Sequence, residues 1–412
     1  MKKALSILLA VLIVSALIPG ALATGSDEVS VSTEAELATA LSGTCTKINI
    51  TADIELEDTL VVNRAVTISG GENRNELSKA DTDSSNYVIK IEADNVTLDM
   101  LTVTGDYGIT VVANNATIKN SDVLATLRGI QFYPDSTIVE PKITIDTCVI
   151  TNTIQQAPYN VDYTTDNRGL ATYQVKGGTV NVTDSQILGF KYGINPLVDQ
   201  EDPDLDTLRD GEGTKFNVTD TLVWAWAALN IWSANTDYTF TNCTLTGVNK
   251  FSGGYNDFST IVANSGIYGD GEDDSYACDV KFVGGVLNVY QYGTNLQSVL
   301  GVDNSCLTRF IFEQYLPEGA SQASNVKMYI HVPTGVSPYV ISFASGTTNE
   351  QVADYMSESS GKLVGINTNL EIYAGSLPTN ARTVFSGGMD KIDWNSDLIG
   401  KFTAQYEGGF YE

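Results

Sequence analysis

The sequence predicts an all-β protein in which short parallel strands coil into a solenoid. Three observations favour this fold class: an eight-residue pattern recurs along the chain, its nearest copies begin 20 residues apart, and the composition suits strands. The 412 residues include 36 Gly and 20 Tyr, and Thr, Asn and Val are frequent. Such a composition favours strands and turns over helices.

The repeated pattern alternates two apolar residues with polar ones, continues with two small or polar residues, and ends on another apolar residue. Its copies are VTLDMLTV from Val96, ATIKNSDV from Ala116, ITIDTCVI from Ile143, VNVTDSQI from Val180, FNVTDTLV from Phe216, YTFTNCTL from Tyr238, VKFVGGVL from Val280 and LGVDNSCL from Leu300, with a looser copy, VTISGGEN, from Val66. The shortest separation predicts one turn of the coil, and longer separations predict inserted loops. Because each coil pairs its strands only with the coils on either side, the predicted sheets are parallel.

The two small or polar residues within each copy predict a tight bend. The first bend position holds residues that tolerate a left-handed backbone: Asn120, Asp184, Asp220, Asn242, Gly284 and Asn304. The second position is mostly small, which predicts one inward-facing column containing Ser121, Cys148, Ser185, Thr221, Cys243 and Ser305. Cys148 and Cys243 are three coils apart, roughly 14 Å at ~4.8 Å per coil, which is too far for a disulfide. We therefore expect both to be buried free thiols.

These bends carry a resemblance to a known family. Over about residues 45–310 the sequence resembles the right-handed parallel β-helix proteins of the pectate-lyase-like type, and its bend-position Asn and Asp residues resemble the asparagine ladder of that family. The resemblance implies a single-stranded right-handed parallel β-helix, and the handedness comes from the resemblance alone.

The pattern of residues 1–23 is typical of a signal peptide. Lys2 and Lys3 precede an apolar run, and small residues ending at Ala23 form a cleavage site. The run is shorter than the ~20 apolar residues of a membrane span, and no later run in the sequence is long enough. We therefore expect a secreted or cell-surface protein whose mature chain has no membrane span.

Two further parts follow the signal peptide. Residues 24–319 form the predicted β-helix, with a short helical cap at Ser32–Leu41 because an uncovered coil end would expose strand edges. The repeat fades over residues 320–412, which we interpret as a C-terminal β-rich cap or a small β-rich module. Within it, Thr347 and Glu350 have capping-box spacing and predict the start of a helix.

The chain is strongly acidic, with a net charge of −27 at pH 7. Nucleic-acid binding needs a cationic face, so we expect no nucleic-acid partner. The charge also opposes an acidic polysaccharide, unless calcium or a local basic patch reverses the local field. Solubility of an exported protein is the simpler explanation of the acidity.

Three long insertions separate copies of the repeat, at residues 153–178, 190–214 and 247–277. Insertions in solenoids often build the binding surface, and these are rich in aromatic residues, which stack on sugar rings. The candidate ligand-binding residues are Tyr163, Tyr192, Trp224, Trp226, Tyr255 and Tyr268. The alternative is that the loops are solvated and that these aromatic residues, including at least one of the two tryptophans, serve packing.

Three alternating carboxylates, Asp202, Asp204 and Asp206, are the candidate metal ligands. Carboxylates suit calcium, although Thr207 stands where an EF-hand loop has glycine. No other cofactor is predicted.

The sequence does not identify catalytic residues. The sequence has one histidine, His331, so a multi-histidine metal site is excluded. His331 lies in a predicted strand outside the repeat. The Arg-x-Pro-x-x-Arg and Trp-x-Asp-His motifs of pectate lyases are absent, as are the Gly-His-Gly and Arg-x-Lys motifs of polygalacturonases. A lyase could use a basic residue to remove a proton, and the candidates are Arg128, Lys176, Lys191 and Lys215.

Binding of a polysaccharide or another cell-surface polymer through the inserted loops is the leading hypothesis, as in a non-catalytic, adhesin-like protein. The competing hypothesis is a polysaccharide lyase or glycoside hydrolase of the pectate-lyase-like superfamily. A purely structural rod is the third. A fold does not by itself supply an activity, so the three hypotheses stay open at the level of sequence.

Overall fold

The computed structural model describes residues 27–79, 86–153, 166–173, 175, 177–197, 213–233, 235–249, 259–263, 277–291, 298–302, 308–377 and 389–402. Over these residues the chain coils into a parallel β-helix with three sheets, which confirms the predicted fold class. The predicted signal peptide, residues 1–23, lies outside the described residues.

Sheet 1 contains twelve strands, each parallel to the strands one coil before and one coil after it. They are β1 (Glu28–Val31), β2 (Lys47–Ile50), β5 (Thr67–Ser69), β8 (Thr97–Asp99), β10 (Ala116–Lys119), β12 (Lys142–Asp146), β15 (Thr179–Thr183), β18 (Thr214–Thr219), β21 (Thr236–Thr241), β24 (Asp279–Val283), β27 (Arg309–Glu313) and β30 (Leu363–Val364). One inward column of this sheet is aliphatic from Ile48 to Val218 and aromatic from Phe240 to Phe312. The rings of Phe240, Phe282 and Phe312 stack with 5.7 Å between successive centroids, so like residues meet along the axis.

Sheet 2 follows sheet 1 in each coil. Its strands are β3 (Ile54–Glu55), β6 (Glu76–Ser78), β9 (Thr102–Val111), β11 (Asp122–Phe132), β13 (Val149–Asn152), β16 (Gln186–Leu188), β19 (Leu222–Ala225), β22 (Thr244–Asn249), β25 (Val286–Gln291), β28 (Val326–Val332) and β31 (Leu370–Ser376). One further strand, β32 (Asp390–Ile392), pairs antiparallel with β31.

Sheet 3 completes each coil. Its strands are β4 (Leu60–Val62), β7 (Ile89–Ile91), β14 (Arg168–Tyr173), β17 (Tyr192–Leu197), β20 (Ala227–Ile231), β23 (Ile261–Ala263), β26 (Ser298–Val302), β29 (Tyr339–Ala344) and β33 (Ile399–Phe402). The long strands β9 and β11 contribute to both sheets: β11 pairs with β13 through 122–125 and with β14 through 128–132. Sheets 2 and 3 are therefore continuous in these two coils and separate in the later ones.

Two α-helices accompany the strands. Helix α1 (Glu34–Ser42) lies at the N-terminal end and buries Leu37, Ala40 and Leu41, which confirms the predicted cap. Helix α2 (Asn349–Met356) begins with a capping box formed by Thr348 and Gln351, one residue later than the sequence predicted. Short 3-10 turns lie at 358–360 and 396–398.

The bend between sheets 1 and 2 has the predicted backbone. Asn120, Asp184, Asp220, Asn242 and Gly284 have φ values of 50°, 48°, 49°, 52° and 62°. Met100 and Thr147 occupy the same position with φ of 52° and 55°, although neither residue type favours it.

The predicted column at the second bend position is confirmed by hydrogen bonds that pass from coil to coil. The Cys148 backbone N–H donates to the Ser185 hydroxyl at 3.0 Å, and the Ser185 N–H donates to the Thr221 hydroxyl at 3.4 Å. Cys148 and Cys243 are buried free thiols, as predicted. Burial raises the pKa of Cys148 to about 11 and that of Cys243 to about 12, so both act as neutral packing residues.

One predicted copy of the repeat is wrong. Leu300 lies in β26 and pairs with Ile261 and Ile341 in sheet 3, so LGVDNSCL is not a bend segment. The sheet 1 strand of that coil is β27, in which Phe310 pairs with Val280. Alternation also occurs in strands of sheet 3, such as Ile-Lys-Ile in β7, so it does not say which sheet a strand belongs to. Asn304 and Ser305 lie outside the described residues.

Strand pairing continues past residue 319. Strands β28, β29 and β30 pair with β25, β26 and β27 in sheets 2, 3 and 1, and β31 and β33 follow. The division between residues 24–319 and 320–412 concerns domains rather than pairing and stays a prediction. Among the described residues, none of the helices has the length and apolar character needed to cross a membrane.

Candidate functional site

The candidate functional site lies on the outer face of sheet 3, whose strands include parts of the segments predicted as insertions. Each of those segments contains a strand of this sheet: β14 lies within 153–178, β17 within 190–214 and β23 within 247–277. The prediction of three long loops was therefore wrong in part, because the third strand of each coil was counted as loop. The remaining segments leave from both edges of sheet 3 rather than from one bend.

Five side chains form a cluster on this face, which we call the arginine cluster: Arg128, Asp166, Arg168, Tyr173 and Asn195. Arg168 is 2% exposed, and its guanidinium donates to Asn195 Oδ1 at 2.6 Å and to the Tyr173 hydroxyl at 3.0 Å. Its Nη2 lies 2.9 Å from Asp166 Oδ2. The buried guanidinium therefore has a partner on each of its three nitrogens.

Arg128 approaches the same aspartate from the preceding coil. Its Nη2 lies 3.3 Å from Asp166 Oδ2, and its Nη1 donates to the Asp166 and Leu127 carbonyl oxygens. The Arg128 side chain is 13% exposed and that of Asp166 is 39% exposed. Asp166 Oδ1 makes no hydrogen bond within the described residues. The exposed part of the cluster is thus formed mainly by the Asp166 side chain and to a smaller extent by that of Arg128, whereas Asp166 Oδ1 is itself buried.

Partly exposed tyrosines surround the cluster. The Tyr133 ring lies 5.5 Å from the Tyr173 ring, and the Tyr87 ring meets Tyr107 edge-on at 5.3 Å. The Tyr87 hydroxyl donates to Gln131 Oε1 at 2.5 Å. Burial raises the pKa of Tyr87, and Arg128 opposes that rise. Aromatic faces beside guanidinium and amide groups can contact a hydroxylated or charged polymer.

A column of glycines follows the outward residues of this corner. Tyr107, Arg128, Arg168 and Tyr192 occupy one register position across four coils, and each is followed by glycine. A Cβ on Gly129 would lie 2.4 Å from Ile150 Cγ2 and 2.5 Å from the Gly169 carbonyl oxygen. The glycines therefore let the coils pack closely at the corner between sheets 2 and 3.

Further along the axis, an aromatic cluster fills the same outer corner. We call it the aromatic corner; its members are Tyr192, Trp224, Trp226, Ala227, Val248, Val262 and Tyr290. Lys191 Nζ lies 5.2 Å from the Tyr192 ring centre and 5.5 Å from that of Trp226. Trp224 is 7% and Trp226 1% exposed. Neither tryptophan is an exposed platform in this structure.

Polar side chains adjoin the aromatic corner on the next coils. His331 stacks on Tyr290 with 4.2 Å between ring centres and 5° between planes. Neither ring nitrogen of His331 has a hydrogen-bond partner of ordinary geometry among the described residues, although the Ser376 backbone is close. Burial lowers the pKa of His331 to about 4, so the ring is neutral at pH 7.

The structure brings together three of the six predicted ligand-binding residues, Tyr192, Trp224 and Trp226. The other three, Tyr163, Tyr255 and Tyr268, lie outside the described residues, as do the predicted metal ligands Asp202, Asp204 and Asp206. The described residues contain no group of three or more His, Cys, Asp or Glu arranged to hold a metal ion. Ligand binding at all of these positions stays a prediction.

The weak catalytic candidates fall in different places. Arg128 belongs to the arginine cluster and Lys191 to the rim of the aromatic corner, whereas Lys215 lies on sheet 1 and Lys176 outside the described residues. Sequence reasoning did not assign Arg168 or Asn195 to a site. The signal for Arg168 was a repeated tripeptide of an outward residue, glycine and an apolar residue: Tyr107–Ile109, Arg128–Ile130, Arg168–Leu170 and Tyr192–Ile194. Asn195 directly follows the last of these.

Comparison with known proteins gives a likeness to solved structures only. No protein-family model matches the chain, and neither does any curated protein sequence. Among solved structures it is similar to the Dettilon tailspike protein (gp208), with 12% identity over 84% of this chain and 70% of that one, at a TM-score of 0.39.

Proposed function

We propose that the protein binds a polysaccharide or another cell-surface polymer along the outer face of sheet 3. The observation that carries the proposal is the arginine cluster with its partly exposed tyrosines. These groups lie on adjacent coils, so a chain running along the axis would meet an aromatic face or a hydrogen-bonding group about every 4.8 Å.

The chemistry of the cluster favours a ligand with hydroxyl and anionic groups. A guanidinium edge donates two parallel hydrogen bonds to a carboxylate or sulfate, and tyrosine rings stack on the apolar face of a sugar. Arg128 is the partly exposed cation of this cluster, on a chain whose overall charge is −27. It is the kind of local basic group that an acidic polymer would need.

The arrangement favours binding over catalysis. Asp166 is held by two guanidinium groups, and Arg168 is fully paired, so both residues serve to fix the position of the cluster. A polysaccharide lyase or glycoside hydrolase of the pectate-lyase-like superfamily remains the competing proposal. Its products would be reducing ends or unsaturated uronates.

Binding to a panel of neutral and acidic glycans, followed by affinity measurements on the hits, tests the proposal. We expect Arg128→Gln to weaken binding of a hit by at least about tenfold, because it removes the charge and one of the guanidinium edges. Arg309→Gln is the matched control, since Arg309 is an exposed arginine on sheet 1 that is paired with Asp279.

Equal effects of the two substitutions would contradict a site at the arginine cluster. Silence of the parent protein across the whole panel would favour a structural rod. Cleavage products from any hit would establish the competing enzymatic function.

Two parts of the proposal rest on sequence alone. Secretion depends on the predicted signal peptide at residues 1–23, and N-terminal sequencing of the mature protein would test it. Calcium binding by Asp202, Asp204 and Asp206 depends on their alternation in the sequence, and a calcium-dependent gain in melting temperature that is lost on replacing them with Ala would support it.

A further inference from the structure

Several buried polar atoms beside the aromatic corner have no hydrogen-bond partner among the described residues. They are Trp224 Nε1, Asn288 Oδ1 and Ser342 Oγ; the nearby His331 ring has only the Ser376 backbone close to its nitrogens. Asn288 and His331 are 0% exposed and Ser342 is 1% exposed. A buried polar atom without a partner costs free energy comparable to a lost hydrogen bond, so this set calls for an explanation.

Strand register places these atoms on one outer corner. Asn288 and Tyr290 are two residues apart on β25, so their side chains leave the same face of sheet 2, and His331 pairs with Tyr290 on β28. Ser342 lies in the outward column of sheet 3 that also contains Val262, a member of the aromatic corner. Strands β28 and β29 follow each other along the chain, so His331 and Ser342 belong to one coil.

Asn288, His331 and Ser342 are uncharged at pH 7, and Lys191 lies elsewhere on the corner, beside Tyr192 and Trp226. His331 is uncharged at pH 7 and can donate from one nitrogen and accept on the other, Asn288 Oδ1 accepts, and the Ser342 hydroxyl does both. Asn288 is oriented by its own amide nitrogen, which donates to Thr246 Oγ1 at 3.1 Å. Trp224 and Tyr290 add aromatic surface with a donor at the Trp224 indole.

We infer that the aromatic corner, with Asn288, His331 and Ser342, is a binding site for a neutral sugar ring. Aromatic faces beside unpaired, uncharged donors and acceptors complement a ring that has apolar C–H faces and hydroxyl groups at its edge. A charged ligand would find no counter-charge among these groups. The inference uses no residue of the arginine cluster and does not depend on the proposed polymer.

Thermal shift and tryptophan fluorescence with glucose, galactose, mannose and N-acetylglucosamine, each up to tens of millimolar, test this site on the full chain. We expect at least one of these sugars to raise the melting temperature of the parent protein and to change its tryptophan emission. Ser342→Ala should weaken that binding by about five- to tenfold, because it removes a hydroxyl that pairs with the ligand.

Ser185→Ala is the matched control. Ser185 is also a buried serine, but its hydroxyl is paired within the bend column, where it accepts from Cys148 and donates to the Thr183 carbonyl. We expect that substitution to lower the melting temperature and to leave the sugar affinity unchanged. Ser342→Ala should not lower the melting temperature of the ligand-free protein, since its hydroxyl makes no hydrogen bond to lose.

The inference would be overturned if none of the four sugars shifted the melting temperature or the emission of the parent protein. It would also be overturned if a sugar bound equally well to the parent and to Ser342→Ala. In either case the unpaired atoms are satisfied by water alone. Because Arg128→Gln alters the arginine cluster only, its effect on polymer binding separates the proposed function from this site.

Discussion

At the bend between sheets 1 and 2, residues of different chemistry adopt the same left-handed backbone. Asn, Asp and Gly are recognisable there because few other residues adopt a left-handed backbone at low cost. Met100 and Thr147 adopt it too, and their chemistry offers no such signal. The bend was predictable where the residue type itself favours a left-handed backbone. At Met100 and Thr147 it was predictable only from the distance to neighbouring copies of the repeat.

Single residues of the candidate site were less accessible to prediction. Tyr192, Trp224 and Trp226 were singled out as large aromatic residues, and the structure does bring them together. The pairing of Arg168 with Asn195 joins residues 27 positions apart. Such a contact depends on how many residues make up the intervening coil. That number can be read from the sequence only after the sheet 3 strand of the coil has been identified.

His331 makes the stability of the protein depend on pH. Burial lowers its pKa to about 4, against an unperturbed value of about 6.5 in the unfolded chain. Between these values the unfolded chain binds the proton more tightly, so stability is fully present above about pH 6.5 and falls as the pH drops toward 4. The loss from this group is about 2 kcal/mol between pH 7 and pH 5.

Denaturant unfolding of the parent protein and of His331→Phe at both pH values measures this contribution. Phenylalanine can keep the stacking on Tyr290 but cannot take up a proton, so we expect the variant to lose about 2 kcal/mol less than the parent between pH 7 and pH 5. The carboxylates that also titrate in this range are common to both proteins and cancel. An identical pH dependence would show that His331 is already protonated, or is solvated, in the folded protein.

At the scale of the strand, the glycine column controls how closely sheets 2 and 3 meet. Gly108, Gly129, Gly169 and Gly193 occur at one register position, and each lies against a carbonyl oxygen of the next coil. Their repetition within Tyr-Gly-Ile, Arg-Gly-Ile and Arg-Gly-Leu tripeptides was visible in the sequence. Sequence reasoning missed this repetition because its repeat pattern covered the strands of sheet 1 and the following bend, but not the strands of sheet 3.

Gly169→Ala tests the packing role of this column. A Cβ at Gly169 would lie 2.3 Å from Ile187 Cγ2 and 2.8 Å from the Gly193 carbonyl oxygen, so the coils must separate. We expect a loss of about 1–3 kcal/mol in unfolding free energy, as for other overpacked sites. Gly346→Ala is the control, since a Cβ there meets nothing within 4 Å, and it should stay within about 0.5 kcal/mol. Equal stabilities of the two variants would show that the corner has room.

For the whole molecule, the alternation of sheets determines which face varies from coil to coil. The bends between sheets 1 and 2 are short in every described coil from Met100 to Gly285, whereas chain length varies at both edges of sheet 3. Sheet 3 is thus the face whose surroundings differ from coil to coil. The β-helix architecture was predictable from the repeat, but the position of this face could be identified only from the strand register in the structure.

The N-terminal end of the β-helix must also be covered. Without α1 and β1, the first sheet would present the backbone groups of β2 as an unpaired edge, which invites association between chains. Helix α1 buries Leu37 at 0% exposure. Arg64 fixes the end of the helix by donating to the Ala40, Leu41 and Cys45 carbonyl oxygens at 3.0, 2.9 and 2.6 Å.

We therefore expect a protein lacking residues 27–43 to self-associate, which light scattering after size-exclusion chromatography would show as a concentration-dependent mass. Because such a truncation can also fail to fold, Leu37→Ala provides an independent measurement. It removes a fully buried side chain from the cap and should cost about 2–5 kcal/mol in unfolding free energy. Leu316→Ala is the matched control, because Leu316 is 58% exposed and its truncation should cost little. If Leu37→Ala were no more costly than Leu316→Ala, and the truncated protein stayed monomeric, the helix would not be protecting the end of the coil.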